Sequence, residues 1–141
     1  MFVLDTDHFS LMEWSEGPAR RNLLRRLSAV PPNEVFTTII TYEEQTRGWM
    51  AYAARARTVA REVEAYRKLE RHMGIYRLTQ VLSFDERAGA EFERLRTARL
   101  RVGTMDLKIA AIALTHDATV LTGNLKDFSR VPGLRVEDWT A

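Results

Sequence analysis

Acids able to do chemistry fall in four short segments of this 141-residue chain. Asp5 and Asp7 follow a short apolar run, and Glu44 follows a β-branched one. Asp106 heads an Ala/Ile/Leu stretch, and Asn124 with Asp127 follows Val120-Leu121-Thr122. Sites in open α/β sheets form outside the carboxyl ends of the strands, and each of these segments is expected near such an end. Carboxylates gathered there repel one another unless a cation lies between them. Mg²⁺ or Mn²⁺, a hard ion with oxygen ligands and retained water, suits them best. Such an ion makes an attacking water more acidic and screens an in-line displacement at phosphate. That chemistry needs neither thiol nor imidazole. The chain has no Cys and only three scattered histidines, His8, His72 and His116. Disulfides, thiolate catalysis, zinc ribbons, iron–sulfur clusters and paired-histidine zinc sites are thereby excluded.

The elements that must position these acids can be read in order. Phe2-Val3-Leu4 reads as a buried strand, followed by a helix with Phe9, Leu11 and Met12 inward. Pro18 suits a first helical position, and a second helix to Leu27 carries Leu23, Leu24 and Leu27 on one face. After the turn at Pro31-Pro32-Asn33, Val35 to Ile40 is the strongest strand signal. Thr41 then opens a long helical stretch to about His72, bounded by Gly74 and open to interruption at Gly48. Leu78 to Leu82 is a brief strand. Ser83-Phe84-Asp85-Glu86 fits a capping box before a helix with Phe84, Ala88, Phe92 and Leu95 on one stripe. Met105 to Thr115 reads as a helix buried on most sides, and Val120–Thr122 and Leu134–Val136 as two further short strands. Alternation of strands and helices predicts one α/β domain over residues 1–141, its mostly parallel sheet flanked by helices on both faces.

At this length one domain can bury a sufficient core without staples. The 45% hydrophobic content argues against disorder. The longest apolar stretch, Ile109 to Leu114, is far shorter than the ~20 residues a membrane span needs, so the chain reads as soluble and cytoplasmic. Of its 21 cations, 18 are Arg, a residue whose planar fork favours phosphate. Arg20, Arg21, Arg25 and Arg26 recur at helical spacing, as do Arg55, Arg57, Arg61, Arg67 and Arg71 and the set Arg94, Arg96, Arg99 and Arg101. They read first as solvated helix faces paired with Glu, and second as contacts to a phosphate-rich partner. Trp14, Trp49, Met50 and Tyr52 fit either the core or an interface.

Each acid also has a plainer use. Asp7 can cap the helix after the first strand, Thr41-x-x-Glu44 is itself a capping box, and Asp106 is favoured in a helix's first turn by the macrodipole. Asp127 can simply start a turn, and Asp85 belongs to a cap. An acid heading a buried apolar helix without a partner is costly, which argues for a ligand role at Asp106.

Four ordered segments resemble the motifs of PIN-domain ribonucleases, and among them the VapC toxins of bacterial type II toxin–antitoxin systems. They are Val3-Leu4-Asp5-Thr6-Asp7, Ile40 through Gly48, Met105 through Ala111, and Leu121 through Phe128. The resemblance extends to Ser83-Phe84-Asp85 and to Val131 through Trp139, so it covers essentially the whole chain. It implies an endoribonuclease using Mg²⁺ or Mn²⁺, a homodimer held inactive by a cognate VapB-like antitoxin, with RNA as substrate. Asp5, Glu44 and Asp106 match the family's first three acids, and Thr122 its small hydroxyl residue. The fourth acid is replaced by Asn124, with Asp127 three residues on as its candidate substitute, which implies one metal held mostly by Asp5 and Asp106. Two other readings compete. Asp5-Thr6-Asp7 also resembles the D-x-D of haloacid-dehalogenase phosphatases, with Asp5 as nucleophile, although Phe9 stands where that family expects Thr or Val. The other is a non-catalytic binding module whose acids only cap helices.

Overall fold

The computed structural model describes residues 1–141. Five strands, β1 (Phe2–Leu4), β2 (Val35–Thr38), β3 (Val81–Leu82), β4 (Thr119–Leu121) and β5 (Arg135–Glu137), form one sheet in the order β3-β2-β1-β4-β5. Every pairing is parallel. Seven helices connect them: α1 (Thr6–Trp14), α2 (Pro18–Leu27), α3 (Ile39–Ala54), α4 (Val59–Arg77), α5 (Glu86–Thr97), α6 (Thr104–Thr115) and α7 (Leu125–Phe128). The expected α/β class, with a parallel sheet covered on both faces, is the one observed.

Both faces of the central strands are apolar because both are covered. Val3 and Val120 point into one core with Phe92, Leu95, Ile109, Ile112 and Phe128. Their neighbours Leu4 and Leu121 point oppositely, against Phe9, Leu23 and Trp139, as the two-residue period of a strand requires. Helix α6 buries Leu107 and everything from Ile109 to Ala113. At roughly 1.5–3 kcal/mol per buried large aliphatic side chain, that burial readily offsets half-burying one acid in its first turn.

The chain winds outward from β1 to β3, then returns to add β4 and β5 on the other side. The order reverses between β1 and β4, and a crevice opens at the carboxyl ends of two such strands. Asp5 and Thr122 are the first residues past those two ends.

Several boundaries differ from the sequence reading. The second strand stops at Thr38, not Ile40, because the Thr38 hydroxyl accepts the Thr41 N–H at 3.2 Å and caps α3. Glu44 consequently lies in the second turn of α3, and a capping box at Thr41 does not form. Gly48 does not break the helix, which runs on to Ala54, and Gly74 does not end the next one, which reaches Arg77. The real break lies between Ala54 and Val59, where Thr58 caps α4 through the Arg61 N–H. Asp5, not Asp7, caps α1, accepting the Thr6 N–H at 2.7 Å. Asp85 is the cap of α5, so Ser83 is not.

Candidate active site at the carboxyl edge of the sheet

Asp5 is only 5% exposed. One carboxylate oxygen takes the Thr6 N–H, and the other takes the Thr122 hydroxyl at 2.8 Å. Burial, with the charges of Asp7 and Asp106 adding to it, pushes its carboxyl up to about 7 against the lowering bonds from Thr122 and Thr6. A buried acid straddling neutrality beside other acids is a common signature of a functional centre.

Asp7 shares the same hydroxyl. Its Oδ2 accepts the Gly123 N–H at 2.9 Å and lies 3.3 Å from Thr122 Oγ1. A Cβ at position 123 would meet that oxygen at 3.1 Å, so the close approach favours glycine. Burial would raise the Asp7 carboxyl, but the His8 ring and the Gly123 amide together hold it below the usual range. The Nε2 of buried His8 accepts the Trp139 N–H at 3.2 Å, which leaves Nδ1 to donate to Asp7 at 3.1 Å. His8 therefore ties the end of the chain to the centre as a structural residue.

Glu44 reaches the same rim from α3. Its Oε1 accepts the Thr6 hydroxyl at 2.7 Å, and Thr41 donates in turn to Thr6 at 3.1 Å. On the far side the amide of Asn124 donates both protons, to Asp106 Oδ2 at 3.2 Å and to Asp127 Oδ2 at 3.1 Å. Asn124 thus separates two carboxylates. Asp106 is half-buried, and its carboxyl is raised first by burial, then by the charges of Glu44 and Asp127, with Asp7 a smaller contributor. These mutual influences mark one electrostatic unit formed by Asp5, Asp7, Glu44, Asp106 and Asp127. Arg130, 3.4 Å from Asp127, is the single guanidinium or ammonium in ion-pair contact with it.

The donor set is hard oxygen throughout, with more negative charge than positive. No three His, Asp or Glu side chains stand close enough to grip one ion as a ready-made cage. Oxygen donors of this kind suit a hard divalent cation that keeps several waters. Asp5, Glu44, Asp106, Asp7, Thr122, Asn124 and Asp127 all come to this rim, as their order along the chain predicts. Thr6, Thr41 and Gly123 escaped the sequence reading as individual contributors. For Thr6 the available signal was its place between two acids, on the first turn of a helix beside a strand end.

The sequence profile of the PIN domain matches residues 2–134. The chain belongs to the PIN-domain family. Over 64 residues it is 38% identical to the tRNA(fMet)-specific endonuclease VapC of Salmonella typhimurium, a match covering 43% of this chain and 48% of that protein. It is 53% identical over 38 residues to Ribonuclease VapC1 of Rickettsia felis, covering 27% and 28%. The matched stretches thus span at most about half of these relatives. Two toxin–antitoxin structures share the fold along nearly the whole length. VapBC-1 from nontypeable Haemophilus influenzae has a TM-score of 0.76 at 24% identity, covering 99% of this chain and 98% of that one. VapBC2 from Rickettsia felis, bound to a promoter DNA fragment, has a TM-score of 0.72 at 22% identity, covering 98% of each.

Proposed function

We propose that this chain is a VapC-type endoribonuclease, dependent on Mg²⁺ or Mn²⁺, that acts in the cytoplasm as the toxin of a toxin–antitoxin pair. It dimerises in this reading and is restrained by a VapB-like antitoxin. The observation that carries the reading is the convergence of Asp5, Glu44 and Asp106 from three distant segments on the crevice between β1 and β4. Membership of the PIN-domain family and similarity to proteins named as VapC ribonucleases support it. The phosphatase alternative has only Asp5-Thr6-Asp7 in its favour. A module with merely capping acids leaves the bonds of Glu44 and Asp106 to a shared rim unexplained.

In this reading Asp5 and Asp106, with Glu44 beside them, would hold the ion. A bound divalent cation supplies an acidified water and a counter-charge for the phosphodiester. Thr6 fixes the Glu44 carboxylate, and Asn124 holds Asp106 and Asp127 apart while adding no charge of its own. Thr122 steadies the buried oxygen of Asp5 and also supports Asp7. Asp5 would have to be ionised to hold an ion, and the bonds from Thr6 and Thr122 favour that form against its burial. Water attacks phosphorus, the bond from phosphorus to the 3′ oxygen breaks, and the products carry a 5′-phosphate and a 3′-hydroxyl.

RNA cleavage with Mg²⁺ or Mn²⁺, with and without EDTA, tests this reading in the wild type and in Asp5→Asn and Asp106→Asn. Cleavage should vanish in EDTA and fall at least about a hundredfold in each variant. Full activity in both variants would rule the mechanism out.

A further inference from the structure

One turn beyond the acidic rim, α1 and α3 part around a cleft of about 310 Å³ lined by Ser10, Trp14, Gln45, Gly48, Trp49 and Tyr52. Tyr52 and Arg55 also border a second hollow of about 240 Å³, closed by Ala56 and Arg61. The floor is fixed, since Gln45 donates to Ser10 at 2.9 Å and accepts the Tyr76 hydroxyl at 2.6 Å. The walls are aromatic. Trp14 and Trp49 lie 4.4 Å apart between ring centres, and Tyr52 meets Trp49 edge-on at 5.8 Å. The buried indole N–H of Trp14 has no acceptor.

Cations surround these rings. Arg71 lies 4.1 Å over Trp14, and Lys68, paired with Glu64, sits 4.8 Å from the Tyr52 ring. At the mouth, Arg55 and Arg61 are exposed, with no carboxylate within ion-pairing reach. Gly48 lines the opening, and a Cβ at that position would stand in open space with nothing within 4 Å. An aromatic half joined to a half with unpaired guanidinium groups matches a flat ring attached to an anionic backbone. Among polymers, single-stranded nucleic acid has both parts in every repeat, and aromatic stacking with a cationic track is how such strands are held.

We propose that this cleft is a nucleotide subsite of the RNA substrate, its base against Trp49 and Tyr52 and its phosphate on Arg55 and Arg61. The identification of RNA rests on the nuclease reading above. The subsite lies along the helices that present Asp5 and Glu44, with Trp14 about 12 Å beyond Thr6 on the α1 axis at 1.5 Å per residue. It anchors the strand away from the scissile bond, so it is a positioning device and takes no part in the chemical step.

A short single-stranded oligoribonucleotide titrated in EDTA, so that it is not cut, tests the proposal through tryptophan emission and anisotropy. The wild type should show quenching that saturates. Gly48→Leu fills the opening and removes a helix-weakening glycine, so it should melt no lower than the wild type while binding about tenfold more weakly or worse. Arg55→Ala with Arg61→Ala should weaken binding and flatten its logarithmic salt slope by about 0.7, for the one phosphate no longer neutralised. Unchanged RNA affinity in Gly48→Leu overturns the proposal. So does a cleft that Gly48→Leu closes to a VapB-type protein partner but not to RNA. Cleavage by Gly48→Leu with an unaltered KM would likewise refute the subsite and leave the nuclease reading standing, whereas loss of that reading is registered separately by Asp106→Asn.

Discussion

At pH 8 in EDTA, Asp5→Asn is expected to melt roughly 5 °C or more above the wild-type protein, although it removes a residue assigned to the reaction. The cause is the burial that pushes the Asp5 carboxyl up to about 7 from the usual 3.8. Between pH 4 and 7 the folded protein retains a proton that the unfolded chain has released. Stability from this group is therefore complete below pH 4, declines as pH rises through 7, and levels off above it. Across that window the change is of order a few kcal/mol. Asparagine has no proton to lose. Its carbonyl can still cap α1 through the Thr6 N–H, and the Thr122 hydroxyl can turn its proton toward Asp7, 3.3 Å away. Asp7, held low by its own partners, acts in a separate window and costs stability only as pH falls through its lowered value. Millimolar Mg²⁺ should reverse the ranking, because an ion bound only by the folded wild type stabilises it by mass action and the variant has lost a ligand. Thermal melts at pH 5 and pH 8, with Mg²⁺ and with EDTA, give the four curves required. A variant less stable than the wild type at pH 8 in EDTA would contradict the buried-charge account.

Asn124→Asp should produce the opposite pattern. The amide now donates to both Asp106 and Asp127, and a carboxylate in its place removes both bonds and adds a third negative charge. Without metal the variant is expected to lose about 1–3 kcal/mol and to raise the Asp106 carboxyl further. With Mn²⁺ the added charge becomes an asset, and the ion should bind roughly tenfold more tightly. Calorimetric titration of Mn²⁺ into both proteins measures this directly. Equal affinities would mean that Asn124 stands outside the metal's field, and the one-metal assignment to Asp5 and Asp106 would need another explanation.

The sheet and the convergence of its acids were legible because they follow from order alone. Short apolar runs ending in Asp or Thr suit strands that deliver those residues to one edge, and the apolar helix after Gly103 packs into the core beside that sheet. What sequence could not decide was competition between neighbours for the same cap. Asp5 and Asp7 are both good caps, and Thr38 and Thr41 are both good caps. The choice depends on where β1 and β2 stop pairing, which is a property of the sheet. The sequence likewise leaves the long helical stretch open to interruption at Gly48, at a propensity cost of about 1 kcal/mol, whereas packing carries α3 through that glycine and Thr58 sets the next start. Thr6 and Gly123 were hidden for a different reason. Each acts through one long-range bond, to Glu44 and to Asp7, that no local pattern records.

Where a divalent ion sits on these carboxylates is read directly from a crystal grown or soaked with Mn²⁺, by its anomalous scattering. A peak is expected in the crevice between β1 and β4, bonded directly to the carboxylates of Asp5 and Asp106 and absent in Asp106→Asn. A peak only at other carboxylates, or none there under conditions in which the protein cuts RNA, would contradict it.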